Sequence, residues 1–280
     1  NAGDVVARAV GRKLAEVLRQ PVVVENRPAP LVAASTVAKA KPDGYNLLMS
    51  GSGMALTESL FTSLPYDIVK DFQHVSTMAA FDFVLVSDPG SPFKSLGAVL
   101  AYARANPGKM SMATARVGST AHLAAEMLKA AAGVDIALIP YKSTGEIITA
   151  VRGGQVQVAI ELVPGVIGQI KQNLLNPLAV TSKTRFPGMP NVPTVAESGV
   201  AGYEVSSWNG ISLPGGTPAP VVQRLASAIA TAVNSPDVRA ELIAAGATPM
   251  TSTPAQMTDR MKGDVAKWRV VVEKTGITKQ

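Results

Sequence analysis

Residues 109–160 read KMSMATARVGSTAHLAAEMLKAAAGVDIALIPYKSTGEIITAVRGGQVQVAI, and this stretch decides the fold. Short apolar runs alternate in it with longer amphipathic segments, which is the pattern of strands alternating with helices. The pattern predicts strands over 109–114, 136–141 and 155–160 and helices over 120–132 and 145–152. Strands separated by helices of this length form a parallel sheet with helices on its faces. The stretch therefore predicts an α/β fold.

The N-terminal part of the chain shows the same alternation. Residues 5–19 place apolar side chains on one helical face, and we expect Asp4 to cap this helix at the end of an opening loop. The following segments are predicted as a buried strand at Val22–Val24, a helix over 31–40, a strand over 45–49 and a helix from about Met54. This order also predicts a parallel sheet covered on both faces.

The segments outside these two stretches are less regular. Ser95 is placed to cap a helix that ends at Asn106, and residues 186–202 are rich in Pro and Gly, which indicates irregular structure. A strand is predicted over 203–213, followed by mostly helical segments to the end. We find no repeat with a period of 20–50 residues, so a solenoid is excluded.

The composition excludes several classes of protein. The chain has 280 residues, of which 47% are hydrophobic and 16% charged, enough apolar material for a sizeable core in about two domains. There is no cysteine, so disulfides and Cys-based metal sites are excluded. No apolar run approaches the roughly 18 residues of a spanning helix, so we expect a protein that does not itself span the membrane.

The net charge of +6 is mild for this length. A nucleic-acid surface would cluster the excess and place stacking aromatic residues among the basic ones. Here Arg8, Arg12, Lys13 and Arg19 share one predicted helix, which indicates a solvated face. We therefore expect no nucleic-acid partner, although a modest positive field favours small anions.

Hydroxyl and glycine residues follow three predicted strands. The turns are Ser50–Gly53, Arg116–Thr120 and Lys142–Gly145, and each opens a helix. Ligands of α/β sheets bind outside the carboxyl ends of the strands, where the first helical N–H groups are unpaired and the helix dipole is positive. Glu161, at the end of the next strand, is directed at the same crevice. These turns predict a receptor for a carboxylate; ordinary helix capping by Ser and Thr is the alternative.

Catalytic motifs are scarce. The two histidines, His74 and His122, have no partner at metal-ligand spacing, and no nucleophile elbow, phosphate-binding loop or dinucleotide fingerprint is present. His122, inside a predicted helix, is typical of a packing or capping residue. Glu161 lacks the second carboxylate that acid–base hydrolysis needs. We therefore predict no enzyme, no cofactor and no metal; a carboxylate-processing α/β enzyme and the effector-binding domain of a regulator remain alternatives.

The ordered motifs of the chain resemble the tripartite tricarboxylate transporter substrate-binding proteins, the Bug-type periplasmic receptors. The resemblance covers nearly all of the chain. Its motifs are DVVAR (4–8), QPVVVENRP (20–28), PDGY (42–45), LPYDIVKDF (64–72), NPGK (106–109), GSTAHLAAE (118–126), PYK (140–142), GGQV (153–156), VPT (192–194), SWNG (207–210) and GTP (216–218). Each motif is weak alone, but their order and spacing are specific.

This resemblance implies a fold and a function. The fold is the type II periplasmic-binding-protein class, with two α/β lobes joined by crossover strands and a ligand cleft between them. Lobe one is expected at 1–87 and 203–280, and lobe two at 88–202. The implied function is capture of a small organic carboxylate, a di- or tricarboxylate or a related acid, in the periplasm for the integral-membrane subunits of a tripartite tricarboxylate-type transporter.

The resemblance also implies ligand-binding positions, which include those reached from the strand ends. The expected ligand-binding residues are Gly3, Asp4, Ser50, Gly51, Ser52, Gly53, Arg116, Val117, Gly118, Ser119, Thr120, Ala121, His122, Ser143, Thr144, Gly145 and Glu161. Three features depart from the family pattern: bulky residues over 29–34 replace a glycine-rich run, Arg116 replaces a small or polar residue, and Glu161 replaces Asp. The leading strand and the glycine-rich first loop of the family are also cut short at Asn1: either the start of the chain has been processed, or the leading residues are missing from this sequence. We expect a signal peptide to have been removed.

Overall fold

The computed structural model describes residues 2–27 and 30–275. Within this part the chain forms two compact units. The first unit consists of the residues up to Ala80, of Trp208–Ala245 and of the residues from Pro249 onward; the second consists of Phe81–Ser207 and Gly246–Thr248. In chain order the elements are α1 (Ala2–Leu18), α2 (Pro30–Ala38), β1 (Leu48–Gly51), α3 (Ser52–Leu60), β2 (Phe72–Ser87), α4 (Leu96–Ala105), β3 (Ser111–Thr114), α5 (Thr120–Ala132), β4 (Ala137–Pro140), α6 (Thr144–Arg152), β5 (Val158–Leu162), α7 (Val163–Lys171), β6 (Asn176–Val180), β7 (Ser206–Pro214), α8 (Ala219–Asn234), α9 (Pro236–Ala244), β8 (Thr248–Pro249) and α10 (Pro254–Thr275).

The second unit contains the parallel part of the sheet. Strand β3 lies between β4 and β5 and is parallel to both, so these strands end at one common edge. Helix α5 follows β3, α6 follows β4 and α7 follows β5. All three helices therefore begin at that edge. Strand β2 is antiparallel to β5, with Ser87 opposite Val158, so β2 ends at the other edge.

Helix boundaries in the second unit follow from local chemistry. Helix α5 begins after Ser119, whose side chain accepts a hydrogen bond from the backbone N–H of His122, and ends at Gly133, which has φ 63°. A side chain at that φ would be strained, so glycine is suited to end the helix there. Helix α4 begins in the same way, because Ser95 accepts from the N–H of Ala98. The prediction of helices over 120–132 and up to Asn106 is confirmed.

The first unit is held together by large buried side chains. Trp208 on β7 and Trp268 on α10 are among the largest fully buried residues of the described chain. Strand β1 is antiparallel to β7, with Leu48 opposite Ser212 and Gly51 opposite Asn209. This pairing brings the predicted Ser50–Gly53 turn against the backbone that carries Trp208.

The prediction of a parallel sheet is only partly correct. Parallel pairing holds for β3, β4 and β5, whereas β1 is antiparallel to β7 and β2 is antiparallel to both β5 and β6. The alternation of strands and helices indicates parallel neighbours only where consecutive strands lie in the same part of the sheet. Here the long strands β2 and β7 carry the chain from one unit to the other and reverse the local direction.

Two local predictions at the N-terminus are wrong. Val22–Val24 is not a strand: Val23 is 86% exposed, and the γ-carbons of Val22 and Val24 lie against Gly11 of α1. The β-branched residues of this run favour a strand, but no strand of the described chain pairs with it. The tertiary surroundings therefore override the propensity of the residues. Asp4 is not a cap in a loop either, because α1 already includes it.

Gly3 and Asp4 both lie in the first turn of α1. The Asp4 carboxylate accepts hydrogen bonds from Arg8 Nε at 3.0 Å and from Asn26 Nδ2 at 3.1 Å, and these bonds lower its pKa. An acidic residue in the first turn also complements the helix dipole. The expectations for Asn1, Pro28 and Ala29 lie outside the described residues. In the described part of the chain, no helix combines the length and the apolar character needed to cross a membrane.

Candidate anion-binding site

The loop between β3 and α5 ends in a capped helix. The turn closes through a hydrogen bond from the Ser119 N–H to the Arg116 carbonyl at 2.9 Å, and Gly118 takes φ 77° inside it. The Ser119 hydroxyl accepts from the His122 N–H at 3.2 Å. A hydroxyl has one proton and two lone pairs, so this cap leaves the Ser119 proton available for another acceptor. The capping role and a ligand-binding role are therefore compatible.

Arg116, Val117 and Ala121 are placed differently around this turn. Arg116 and Val117 are exposed, while Ala121 is buried in the first turn of α5. Within the described residues, the Arg116 side chain forms no hydrogen bond or ion pair. Its guanidinium is therefore able to meet an anion that approaches the loop. Thr120, half-buried, is the first residue of α5.

His122 packs against β3. Its Nδ1 lies 3.2 Å from the Thr114 hydroxyl, which donates its own proton to the Ala115 carbonyl at 2.9 Å. The ring nitrogen is consequently the donor to Thr114. Burial lowers the pKa of His122, which favours the neutral ring. Its placement is that of the packing residue that the sequence predicted.

The loop between β4 and α6 carries a reciprocal cap. The Ser143 hydroxyl accepts from the Glu146 N–H at 3.3 Å, and the Glu146 carboxylate accepts from the Lys142 N–H at 3.0 Å. This arrangement, a variant of the capping box, satisfies two N–H groups and fixes the start of the helix. Ser143 and Gly145 are exposed, and Thr144 is half-buried. As with Ser119, the cap leaves the Ser143 proton available.

Glu161 lies at the end of β5 and is only 6% exposed. Its Oε1 accepts from the Leu162 N–H at 2.7 Å and its Oε2 accepts from the Thr144 hydroxyl at 3.1 Å. Burial raises the pKa of Glu161, and the two hydrogen bonds to the ionised form oppose this rise. Gly165 on α7 lies next to both side chains. The structure thus brings Glu161 and Thr144 together, as expected for residues at the ends of parallel strands that share one edge of the sheet.

These loops share one edge of the second unit. Helices α5, α6 and α7 each begin there, and the dipoles of all three place partial positive charge at that edge. Helix α7 offers fewer donors than the other two, because Pro164 in its first turn has no N–H. The hydroxyls of Ser119 and Ser143 add donors. The arrangement is suited to holding a carboxylate by hydrogen bonds. In the described residues, no group of His, Asp and Glu is arranged to hold a metal ion.

The Ser50–Gly53 segment of the first unit differs from the sequence expectation. There is no separate turn, because β1 continues to Gly51 and α3 begins at Ser52. Ser50 is buried with its hydroxyl 2.6 Å from that of Ser212, and the buried Ser52 hydroxyl accepts from the Trp208 N–H at 3.3 Å. Both serine side chains therefore hold the segment in place. Gly53 is the residue of this segment that is exposed to solvent.

Sequence reasoning missed the group that lies behind this segment. His74 Nδ1 is 2.8 Å from the Ser212 hydroxyl, which continues to Ser50. A Ser–His pair at such a distance is also the arrangement of a nucleophile and its base. Here Ser212 is 0% and His74 1% exposed, and burial lowers the pKa of His74 to about 4. A substrate has no access to this pair, so we assign it a packing role.

No local signal in the sequence points to this group. Ser50, His74 and Ser212 are distant along the chain and stand in no common motif. Only the pairing of β1 with β7 places Ser50 beside Ser212. Knowledge of the strand order would have been needed to find it.

Comparisons with known proteins extend over nearly the whole chain. Residues 6–277 match the family described as "Tripartite tricarboxylate transporter family receptor". Protein BugT of Bordetella pertussis is 36% identical over 277 residues, which are 98% of this chain and 85% of BugT. The similarity therefore covers both units.

Solved structures with the same fold include two that hold dicarboxylates. Rpa4515 of R. palustris, solved with adipate, has a TM-score of 0.82 and 31% identity, covering 99% of this chain and 94% of that one. MatC of Rhodopseudomonas palustris, solved with bound malate, has a TM-score of 0.75 and 29% identity, covering 96% and 94%. The prediction of a two-lobed periplasmic-binding fold is confirmed at the level of fold class.

Proposed function

Because the chain belongs to the family of tripartite tricarboxylate transporter receptors, we propose that it captures a small organic carboxylate, and a dicarboxylate first of all. The observation that carries this proposal is the edge of the second unit where three helices begin beside the hydroxyls of Ser119 and Ser143. The adipate in Rpa4515 and the malate in MatC support the choice of ligand class.

Hydrogen bonds are the proposed source of affinity. A hydrogen bond to a charged partner contributes about 1.5–3 kcal/mol, and a carboxylate has two oxygens able to accept several of them. Backbone N–H groups at the starts of α5, α6 and α7 and the serine hydroxyls are donors of this kind.

A second carboxylate of the ligand needs a separate partner, because the helix starts satisfy the first. Arg116 is the candidate: it is exposed beside the β3–α5 turn, and its planar guanidinium matches a carboxylate with two parallel hydrogen bonds. The net charge of +6 also favours the approach of anions. The protein binds this ligand and releases it chemically unchanged.

The cellular setting follows from the family and is part of the same proposal. A receptor of a tripartite transporter works outside the cytoplasm, so we place this protein in the periplasm. It delivers its ligand to integral-membrane subunits, which recognise the ligand-loaded receptor. The family supports this placement.

A thermal-shift screen tests the proposal. The purified protein is heated with mono-, di- and tricarboxylates and with amino acids, and the ligand is recovered afterwards for chromatography. A carboxylate at about 100 times its dissociation constant adds roughly 2.7 kcal/mol of stability. We expect a dicarboxylate to give the largest shift and to be recovered unchanged. No shift with any carboxylate, or recovery of a new product, would contradict the proposal.

A further inference from the structure

The candidate site contains a buried carboxylate of its own. Glu161 accepts one hydrogen bond from the Leu162 N–H and one from the Thr144 hydroxyl, at 2.7 and 3.1 Å. Thr144 is the first residue of α6, at the edge where the proposed ligand binds. A site for anions thus places an acidic side chain directly behind one of its hydroxyls. This contact determines whether the Thr144 hydroxyl donates a hydrogen bond to a ligand or accepts one from it.

A threonine hydroxyl has a single proton. Thr144 donates this proton to Glu161, so it presents only lone pairs to any other partner. A ligand carboxylate is itself an acceptor and forms no hydrogen bond with a lone pair. A ligand hydroxyl or ammonium group is a donor and does. Thr144 therefore differs from Ser119 and Ser143, whose caps leave their protons available.

The surrounding elements fix the pair in this arrangement. A Cβ atom added to Gly165 of α7 would lie 3.2 Å from Thr144 Cγ2 and 3.5 Å from Glu161 Cγ, so α7 packs closely against both side chains. The reciprocal cap of Ser143 and Glu146 holds the first turn of α6. The Leu162 N–H holds the other carboxylate oxygen. In this arrangement the Thr144 proton is directed to Glu161.

We propose that Glu161 and Thr144 make this receptor selective for carboxylates that carry a hydroxyl or ammonium substituent, such as hydroxy acids and amino acids. The inference rests on the proposed function and narrows its ligand class. Ser119 and Ser143 donate to the ligand carboxylate, and Thr144 accepts from the substituent. Glu161 is a positioning residue, because it acts through the orientation of the Thr144 hydroxyl.

Calorimetry with matched ligands of equal chain length tests this inference. The pairs are succinate with malate or aspartate, glutarate with glutamate, and adipate with 2-aminoadipate. At the chain length that binds tightest, the substituted acid should bind about tenfold more tightly than the plain one, since one additional hydrogen bond contributes about 1–1.5 kcal/mol. Equal affinities for substituted and plain acids in the wild-type protein would overturn the inference.

Substitutions locate the effect. Glu161→Gln keeps both contacts, but its amide donates to Thr144 and releases the threonine proton towards the ligand. The ratio should then fall to about one, with a gain for the plain acid that a merely structural role would not produce. Thr144→Val should also reduce the ratio to about one, and Thr144→Ser is the matched control that should retain it.

The outcomes separate this inference from the proposed function. A tenfold ratio that survives both Glu161→Gln and Thr144→Val, in variants whose circular dichroism and melting temperature match the wild type, would overturn the inference and leave the receptor function intact. Failure of every carboxylate to bind the wild-type protein would overturn the proposed function, and the inference with it.

Discussion

Strand ends with the same sequence pattern play different roles in the two units. In the first unit, the hydroxyls of Ser50 and Ser52 are buried and bonded to Ser212 and Trp208. In the second unit, Ser119 and Ser143 cap helices and keep a proton for an external acceptor. The pattern of hydroxyl and glycine residues after a strand is shared, but the surroundings of the hydroxyls are not.

The difference has a physical cause. Gly51 lies in a strand that is paired with β7, and its neighbours face that strand, so their polar groups find partners inside the protein. The second-unit serines lie beyond the ends of β3 and β4 and cap α5 and α6, outside the paired strands of the described chain. A hydroxyl in a paired strand is satisfied by packing, and one past the strand end remains accessible.

Substitution of Gly51 should destabilise the first unit strongly. A Cβ atom at Gly51 would lie 2.1 Å from the Trp208 carbonyl oxygen, which belongs to backbone and cannot move aside cheaply. We expect Gly51→Ala to lower the free energy of unfolding by about 3 kcal/mol. Gly53→Ala is the matched control, since nothing lies within 4 Å of its Cβ position, and it should change stability by less than about 0.5 kcal/mol. Urea denaturation measures both; equal effects would refute the packing account.

His74 should make the stability depend on pH. Its pKa is about 4 in the folded protein and about 6.5 in the unfolded chain, so the unfolded state binds more protons between these values. The contribution of neutral His74 to the free energy of unfolding is therefore fully present above pH 6.5. It falls as the pH drops towards 4, by up to about 3 kcal/mol. His74→Gln should remove most of this loss when unfolding is followed from pH 7 to pH 4.

The control for this prediction is His122→Gln. His122 is less deeply buried than His74, and although burial also lowers its pKa, the variant should retain most of the wild-type slope. Identical slopes for His74→Gln and wild type would show that the buried Ser50–Ser212–His74 group does not exclude the charged imidazole.

Arg116→Ala should give the smallest effect, and on binding rather than on stability. The side chain is exposed, so the free energy of unfolding should change by less than about 0.5 kcal/mol. An exposed ion pair contributes up to about 1 kcal/mol, so affinity for a dicarboxylate should fall about fivefold. Affinity for the monocarboxylate of the same length should stay constant in parallel titrations. Equal losses for the two ligands would assign Arg116 to the solvent surface.

The sequence predicted the second unit well. Helices α4, α5 and α6 begin at or next to the predicted residues, because Ser95, Ser119 and Ser143 are strong N-caps whose effect is local. The turns after β3 and β4 were found for the same reason. Glu161 followed from its place at the end of β5.

The first unit was predicted less well, because its decisive contacts are not local. The antiparallel pairing of β1 with β7 joins segments far apart in the sequence, and it moves Ser50 and Gly51 from the expected turn into a strand. The same holds for His74, whose partner Ser212 lies on β7. The strand predicted at Val22–Val24 does not form, because no strand of the described chain pairs with it. Residue propensity alone does not reveal whether a partner strand is present.

The central claim is that the hydroxyls at the parallel-strand edge of the second unit bind the ligand. Ser119→Ala and Ser95→Ala test it most directly, because both serines cap helices through bonds of 3.2 Å, but α4 follows β2 and begins at the opposite edge. Each variant should lose about 1 kcal/mol of stability.

Calorimetric titration of the two variants with the tightest-binding carboxylate is the measurement. We expect Ser119→Ala to weaken binding about tenfold, since a hydrogen bond to a charged group contributes about 1.5–3 kcal/mol, and Ser95→Ala to bind like the wild type. Wild-type affinity in Ser119→Ala, or an equal loss in Ser95→Ala, would contradict the central claim.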